Sequence, residues 1–368
     1  MIYFDNAATS FPKPKSVIYD LNQCLKTYCG NPGRSSHKLA LKAADKIYET
    51  REIIAKFIGN NKCENVIFTP SATYALNLVI KGIINEKCHC IISDLEHNSI
   101  LRPLYKALKK HDGELSVFNS DLNVRDAIIP LIRSDTKVII STLCSNVTGK
   151  SINLNDLSYI AKEYKLKLIL DGSQCIGHTR IKINDVYYSA LCCAGHKGLF
   201  GIQGSAFAII NDPELFDTLT EGGSGVDSFS PFMPELLPER YEAGTLATPA
   251  IVSLGSGVKY IQNIGIDEIE KHILQMTNTL KDVLESIRSV RVLGVENGIA
   301  SFNVGNYSSS HVAKMLDNEG IATRSGFHCA PLIHQKLGTN EIGAIRVSLS
   351  YFNNEKEIYS LYKALKKI

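Results

Sequence analysis

Residues 190–201, ALCCAGHKGLFG, decide how the chain is read. An apolar run ends at Ala194, Gly195 follows, and a single lysine, Lys197, stands between His196 and Gly198 before apolar residues resume. A lysine in that setting is either a surface turn residue or an amine held in a pocket to form a Schiff base. The segment 165–174, KLKLILDGSQ, shifts the balance toward the second. It is a short, heavily apolar strand ending in Asp171, and open α/β sheets gather their ligands beyond the carboxyl ends of their strands. A carboxylate that faces a pyridine nitrogen and a lysine that holds an aldehyde are the two protein groups pyridoxal phosphate most needs.

Outward from these residues, the same grammar repeats. VIFTPSATYALNLVIKGI reads as strand, polar turn and helix, and CHCIISDLEHNSILRPLYKALKKHDG repeats it with Glu96, His97, Asn98 and Ser99 at the join. ELSVFNS is a strand with a helix expected from there to Arg133, and TKVIISTLCSNVTGKSINLNDLSYIAKEYKLKLILDGSQ supplies two more strands separated by a loop and a helix. Strands and helices alternating over roughly 65–210 predict an α/β fold with a mostly parallel central sheet flanked by helices. Before this region, NPGRSSHKLALKAADKIYETREIIAKFIG reads as a turn entering a long amphipathic helix. After it, residues 220–249 are Gly- and Pro-rich and end in ERYEAGTLATPA, an irregular loop of functional or assembly significance. Long helices follow over 250–286, then a smaller α/β alternation. The expected organisation is a segment 1–13 packing with the small domain, a large domain 14–249, and a small C-terminal domain 250–368 carrying a loop around Cys329.

Composition excludes several function classes. The chain has 368 residues, 44% hydrophobic and 21% charged, with a net charge of +3. These are the proportions of a soluble globular protein, and the size prior favours two domains. The charge is too mild, and lysine and arginine too scattered, to suggest a nucleic-acid partner. No apolar run approaches the length of a membrane span, and the N-terminus has no secretory pattern. The ten cysteines include several in apolar strand-like runs and are expected as buried free thiols in a reducing cytoplasm. Cys88 and Cys90 flank His89 in a strand that turns the histidine to the opposite face from the two thiols, so a metal site is not expected there.

Candidate functional residues lie at the strand ends. Ser71, Ala72 and Thr73 open a helix, where hydroxyls and free backbone N–H groups suit a phosphate, although ordinary capping explains them equally. His97 can stack on a planar cofactor or simply begin a helix. Asn146 and Gln174 can donate to a phenolate oxygen. In TRSGFHCAP, Cys329 follows His328 in a Gly- and Pro-bounded loop, a setting that raises the thiolate fraction when the imidazole is charged. Arg346 interrupts the strand-like GAIRVSLS. A buried arginine needs a partner, either a substrate carboxylate or an internal Asp or Glu.

Taken together, DNAAT (5–9), NPGRSSHKLA, TPSATYALNLV, DLEHNSI, SNVTG, DGSQ, AGHKG, RYEAGT, RSGFHCAP and IRVSLSYFN, in that order and spacing, resemble the class V aminotransferases among fold-type I pyridoxal-phosphate enzymes. Within them the chain is similar to the cysteine desulfurase and selenocysteine lyase group, of SufS-like type, in which the cysteine loop is short and ordered. The resemblance implies that Lys197 forms the Schiff base with pyridoxal 5'-phosphate, that Asp171 pairs with its pyridine nitrogen, and that Asn146 and Gln174 bond to its phenolate oxygen. It implies that His97 stacks on the ring and takes part in proton transfer. Ala72 through its backbone, Thr73 and His196 would hold the phosphate, with Thr245 arriving from the second subunit of a homodimer. Arg346 would bind the substrate carboxylate, helped by Asn6 and Asn31, and Cys329 would accept sulfur for transfer to an acceptor or scaffold protein.

The implied activity is conversion of L-cysteine to L-alanine with a persulfide on Cys329. Selenocysteine lyase, using the same residues, is the alternative within the group. A pyridoxal-phosphate aminotransferase or racemase with Cys329 incidental, or a catalytically silent binding protein, stands outside it. Three departures from the family pattern are visible. Ala194 stands where many relatives have a serine, Ser71-Ala72-Thr73 replaces Gly-Thr-Thr, and Phe327 leaves His328 as the only imidazole expected beside the cysteine. The DNAAT block begins at once, so the leading helix of some relatives is not expected.

Overall fold

The computed structural model describes residues 1–33, 36–181 and 183–368; Arg34 and Ser35 of the NPGRSSHKLA block lie outside the described residues. The chain begins with β1 (Ile2–Tyr3), α1 (Lys15–Thr27) and α2 (Lys38–Ile58). It continues through β2 (Val66–Thr69), α3 (Ala72–Ile83), β3 (His89–Ser93), α4 (Asn98–Lys110), β4 (Glu114–Phe118), α5 (Val124–Ile128) and β5 (Thr136–Thr142). Next come α6 (Leu154–Glu163), β6 (Lys167–Asp171), β7 (Ala190–Ala194), β8 (Ala206–Ile210), α7 (Thr248–Ile264) and α8 (Ile266–Glu285). The C-terminal part holds β9 (Val290–Glu296), β10 (Ile299–Val304), α9 (Ser309–Asn318), β11 (Ile321–Ala322), β12 (Arg324–Gly326), α10 (Pro331–Lys336), β13 (Ala344–Ser348) and α11 (Glu355–Leu365).

Among the described residues, seven strands make the central sheet in the order β2-β8-β7-β6-β5-β3-β4. Only β8 runs antiparallel to its neighbours in that sheet. Every residue of β2, β3, β7 and β8 is buried, the two-sided covering that makes strands read as unbroken apolar runs. This is the α/β architecture of a fold-type I enzyme, with a smaller C-terminal part built on the antiparallel sheet β12-β13-β10-β9. In that sheet β9 turns into β10 through Asn297 and Gly298, both at positive φ (47° and 77°), as a tight hairpin requires.

The N-terminal segment joins the C-terminal elements. β1 pairs with β11, and Asp5 bridges to Ser348 at the end of β13. Phe200, just after the lysine turn, meets Phe352 edge-on with centroids 5.6 Å apart, so the turn is braced from the C-terminal side. α7 packs on α1 and α2.

Two elements differ from expectation. The helix expected to reach Arg133 stops as α5 at Ile128 and gives way to a 3-10 turn at Ile129–Leu131, because Pro130 cannot continue an α-helix interior. α1 escaped sequence reading. It buries only Val17 and Cys24, while Ile18, Tyr19 and Leu25 are exposed, so its apolar residues do not mark one inward face. Among the described residues, no helix is long and apolar enough to cross a membrane.

Candidate active site

The carboxyl ends of β3, β5, β6 and β7 form the floor of the site. β6 delivers Asp171, which is 6% exposed and accepts the Ser173 N–H at Oδ1, 2.9 Å away. β7 ends at Ala194 and turns through Gly195 to Lys197. The turn is tight: Phe200 N–H reaches the Lys197 carbonyl and Gly201 N–H the Gly195 carbonyl. At Gly198 a Cβ would approach the Ile176 carbonyl oxygen to 2.5 Å, so the lysine turn presses directly on the turn after Asp171. Burial lowers the Lys197 ammonium from its ordinary value to about 8; Asp171 opposes the shift, and Arg346 and Arg324 reinforce it. Lys197 therefore lies in the fields of both Asp171 and Arg346.

His97 occupies the N-cap of α4. Its Nδ1 accepts the Ser99 N–H at 3.0 Å and lies 2.9 Å from Ser99 Oγ. That places the neutral ring's proton on Nε2. Burial lowers the imidazole to about 4, with Lys197 adding to the effect and Asp171 opposing it. Immediately before it, Glu96 is fully buried. Its carboxyl takes the Ser93 hydroxyl and the Thr142 N–H, at 3.0 and 3.1 Å, joining the ends of β3 and β5. Burial raises it to about 8, so it stands protonated at neutral pH. Sequence reading placed Glu96 at a strand–helix join but gave it no role; the one signal was an acid inside an otherwise apolar strand-to-helix unit.

The starts of α3 and α4 meet beside this floor. Ser71 caps α3 by accepting the Tyr74 N–H, Ala72 is the first helical residue, and Thr73 Oγ1 lies 2.8 Å from Ser99 Oγ. Two helix N-termini with hydroxyls between them suit an anion. His196 contributes an imidazole whose Nδ1 is buried without a hydrogen-bond partner, while its backbone carbonyl accepts from Ser10, Thr9 and Lys13. A buried orphan nitrogen, two helix starts, a depressed lysine and a buried carboxylate fit pyridoxal phosphate as a donor set.

The roof comes from the C-terminal part. Arg346, in β13, is 1% exposed; its Nη2 donates to Asp5 at 2.8 Å and its Nη1 to the Asn146 carbonyl at 3.0 Å. Its Nε is buried and unpartnered. The internal acid is thus Asp5, and only the Nε–H of the guanidinium is left over. Asn146 Nδ2 donates to the His328 carbonyl at 2.7 Å, and the Asn98 N–H donates to the Cys329 carbonyl at 2.7 Å. The cysteine loop therefore rests on the residue after His97. His328 and Cys329 are both left-handed, at φ 49° and 56°, a strain that surrounding contacts must hold. Cys329 is exposed.

The structure gathers Lys197, Asp171, His97 and Arg346 at the strand ends, with the Cys329 loop resting on Asn98 and Asn146, and two expectations, those for His328 and Asn6, need revision. His328 does not offer a charged imidazole to Cys329. Its ring turns inward, 3.3 Å from His334 Nε2 and 3.4 Å from the Arg324 carbonyl, and burial drives it down to about 2. Asn6 is fully buried, with Nδ2 bonded to the Tyr3 and Ser348 carbonyls and Asn353, and Oδ1 accepting from Phe11; it fastens the N-terminal segment and has no free group for a substrate. Gln174 Nε2 donates to the Ala7 carbonyl at 3.2 Å, so in this state one of its amide hydrogens is held by the chain itself. Asn31 lies away from the strand ends and meets Thr245 at 3.5 Å. Both line a cleft of about 520 Å³ together with Arg51 and Glu242.

Comparison with known proteins places the chain in a family. The profile of the family described as aminotransferase class-V matches residues 2–361. A probable cysteine desulfurase of Methanothermobacter thermautotrophicus is 30% identical, over 100% of this chain and 94% of its own length. One of Borreliella burgdorferi is 32% identical, over 100% of this chain and 92% of its own. The apo structure of a cysteine desulfurase from Thermococcus onnurineus superposes with a TM-score of 0.90 at 27% identity, covering 100% of this chain and 94% of that one. The chain belongs to the class V aminotransferase family of fold-type I enzymes, and the relatives it resembles there are cysteine desulfurases.

Proposed function

We propose that the chain is a pyridoxal-phosphate-dependent cysteine desulfurase that takes sulfur from L-cysteine onto Cys329, releases L-alanine and passes the persulfide to an acceptor protein. The observation that carries this reading is the 2.7 Å hydrogen bond from Asn98 to the Cys329 carbonyl, which seats an exposed cysteine against the turn that bears His97. When bound, pyridoxal phosphate supplies the electron sink that weakens the substrate's Cβ–S bond.

The chain's own groups divide the remaining work. Lys197 would hold the cofactor through its aldehyde carbon. Burial lowers the lysine's ammonium to about 8, which favours the free amine that would move a proton at Cα. Asp171 would pair with the pyridine nitrogen. Ala72 N–H, Thr73 and His196 would hold the phosphate, and Asn146, Gln174 and His97 would contact the ring. Arg346 would offer its unpartnered Nε–H and its charge, shared with Asp5, to the substrate carboxylate. The Cys329 thiolate attacks the substrate's sulfur: an S–S bond forms as the C–S bond breaks, and the carbon fragment takes a proton to become alanine.

The proposal includes a homodimer. The 220–249 loop exposes Val226, Phe229, Phe232 and Leu236, and α1 and α2 expose Ile18, Tyr19, Leu25, Leu39 and Leu41, more apolar surface than scattered single residues account for. Thr245 and Asn31 would then complete the partner's site. Selenocysteine lyase remains the second reading because no charged imidazole flanks Cys329, and a selenolate leaves with less help than a thiolate.

The test is product stoichiometry. Yellow holoenzyme should release one alanine per L-cysteine consumed with no keto acid present, and light scattering should give twice the chain mass. Alanine formation that requires a keto acid would mean transamination and sink the reading; a single-chain mass would sink the shared site.

A further inference from the structure

The loop that carries Cys329 is short, and three contacts tie it to the large sheet. Two of them, from Asn98 and Asn146, belong to the site just described. The third does not. Lys336, the last residue of α10, sends its ammonium to Asp94 Oδ2 at 2.7 Å, to Asp121 Oδ2 at 2.7 Å, to Asn119 Oδ1 at 2.7 Å and toward Ser120 Oγ at 3.4 Å.

Each partner leads back to the site. Asp94 follows the last residue of β3 and lies in the same turn as Glu96 and His97; its carboxylate also accepts the Ser120 N–H at 3.3 Å, joining the ends of β3 and β4. Asp121 is held on its other oxygen by Lys150 at 2.5 Å, from the loop that carries Asn146. One ammonium thus connects α10, which begins two residues after Cys329, with the turn bearing His97 and the loop bearing Asn146. A lone surface ion pair does little. Here Lys336 is three-quarters covered and Asp94 more so, with side-chain exposures of 25% and 12%, and several partners share the geometry.

We propose that Lys336 is a positioning residue: its ammonium latches α10 to Asp94 and Asp121 and thereby sets Cys329 against the turn that carries His97. The proposal rests on the reading of Cys329 as the sulfur acceptor. The left-handed His328 and Cys329 make such a latch useful, since a strained two-residue turn relaxes when one end is released. Without Lys336 the helix end is free to shift, and the thiol moves relative to the substrate's sulfur while the floor of the site, Lys197 and Asp171, stays in place.

The test compares holoenzymes of wild type, Lys336→Met, Lys336→Arg and Asp94→Asn. The rate of iodoacetamide alkylation at Cys329 is followed by peptide mass spectrometry, with exposed Cys29 as an internal reference. In Lys336→Met the Cys329-to-Cys29 rate ratio should change by about threefold or more and kcat on L-cysteine should fall about tenfold, as misplacement of a reacting atom by a fraction of an ångström does. KM and the cofactor's absorption band should stay near wild type, and Lys336→Arg should recover part of the loss. Added salt should move wild type toward the variant and leave the variant unmoved. An unchanged ratio with unchanged kcat overturns the latch, as does an equal change at Cys29, which would mean general loosening. Should Lys336→Met fail to fold, Asp94→Asn decides by the same ratio, because it removes the latch's covered partner and leaves the lysine only Asp121, which is 57% exposed; an unchanged ratio there overturns the latch. Wild-type enzyme that makes no alanine overturns the sulfur-transfer reading instead, so the two failures are read separately.

Discussion

The floor and the roof of the site each hold a buried ionisable group in its neutral form, with opposite sign. On the floor Glu96 is a carboxylic acid kept protonated, raised to about 8 by burial. In the roof His328 is an imidazole kept unprotonated, lowered to about 2 by burial and by Arg346. Both sit beside the residue that matters, Glu96 next to His97 and His328 next to Cys329, and both tie backbone segments together. The floor is built on strand ends, whose places are set by the sheet. The roof is a loop with two left-handed residues and depends on contacts for its shape. Chemistry is therefore expected to fail completely when the floor is altered and selectively when the roof is.

The largest expected effect tests that division. Lys197→Ala should lower turnover by at least about 10³-fold on L-cysteine and on L-selenocysteine alike, because the proton-transferring amine is gone for both. Borohydride, which fixes the cofactor to the Lys197 peptide in wild type, should no longer fix it anywhere in this variant. Cys329→Ala should abolish turnover of L-cysteine but spare a measurable share of that of L-selenocysteine, since selenolate departs without a thiolate acceptor. Equal losses on the two substrates in Cys329→Ala would erase the distinction between floor and roof, and full L-cysteine activity would remove Cys329 from the mechanism.

The second effect is on stability, and its sign follows from proton counts. An imidazole that titrates at 6.5 unfolded and near 2 folded leaves the unfolded chain binding more protons below 6.5, so folding weakens as pH falls through that window. His178, fully buried and lowered to about 4, acts in the same direction. Glu96 acts oppositely: between its unfolded value and about 8 the folded chain binds more protons, so its contribution falls as pH rises. Going from pH 7 to pH 5, His328 alone should cost about 2 kcal/mol of apparent stability. Urea unfolding of His328→Asn should show a pH 7-to-5 loss smaller by that amount, even if its stability at pH 7 is lower. An identical slope in variant and wild type would show that His328 takes up its proton in the folded roof and that the loop opens to let it.

What the sequence made legible follows the same division. Asp171 and Lys197 were readable because a strand of unbroken apolar residues has a definite end, and a polar residue there has few alternatives. Arg346 was readable as a buried cation in need of an acid, but its partner Asp5 lies 341 positions away in the chain, a distance no local pattern spans. The direction of the His328 ring was hidden for a different reason. Two consecutive left-handed residues without glycine at either position reverse the side chains relative to an ordinary turn, and nothing in GFHCAP announces it. Lys336 carries no local mark, because its partners Asp94, Asn119 and Asp121 lie more than 200 positions away in the chain. The cleft at Asn31 and Thr245 was half visible: the loop's composition marked it as special, while its pairing with Asn31 emerged only from the fold.

The smallest expected effect concerns Ala194, at the floor's edge, where many members of the family carry a serine hydroxyl toward the cofactor's phosphate. The residue is 4% exposed, and its N–H donates to Ser173 Oγ at 3.2 Å. Ser173, two residues after Asp171, thus brings a hydroxyl up to the backbone where the missing one would start. In its present orientation that hydroxyl oxygen accepts from Ala194, which leaves its own hydrogen free to donate. Two outcomes are separable. If the phosphate lacks a donor here, Ala194→Ser should tighten pyridoxal phosphate by about 1 kcal/mol, or about fivefold in Kd, the net value of one hydrogen bond. If Ser173 already supplies the donor, Ala194→Ser should leave Kd unchanged and Ser173→Ala should weaken it by a similar factor. Ser173 is 6% exposed and its Oγ is already engaged by the Ala194 N–H, which favours the first outcome: the added hydroxyl should be the one that gains the phosphate. Titration of the apoenzyme with pyridoxal phosphate, followed by the growth of the Lys197 absorption band, measures both variants on the same scale; tightening in Ala194→Ser with no loss in Ser173→Ala is the expected result, and the reverse pattern would move the phosphate donor from β7 to the turn after β6.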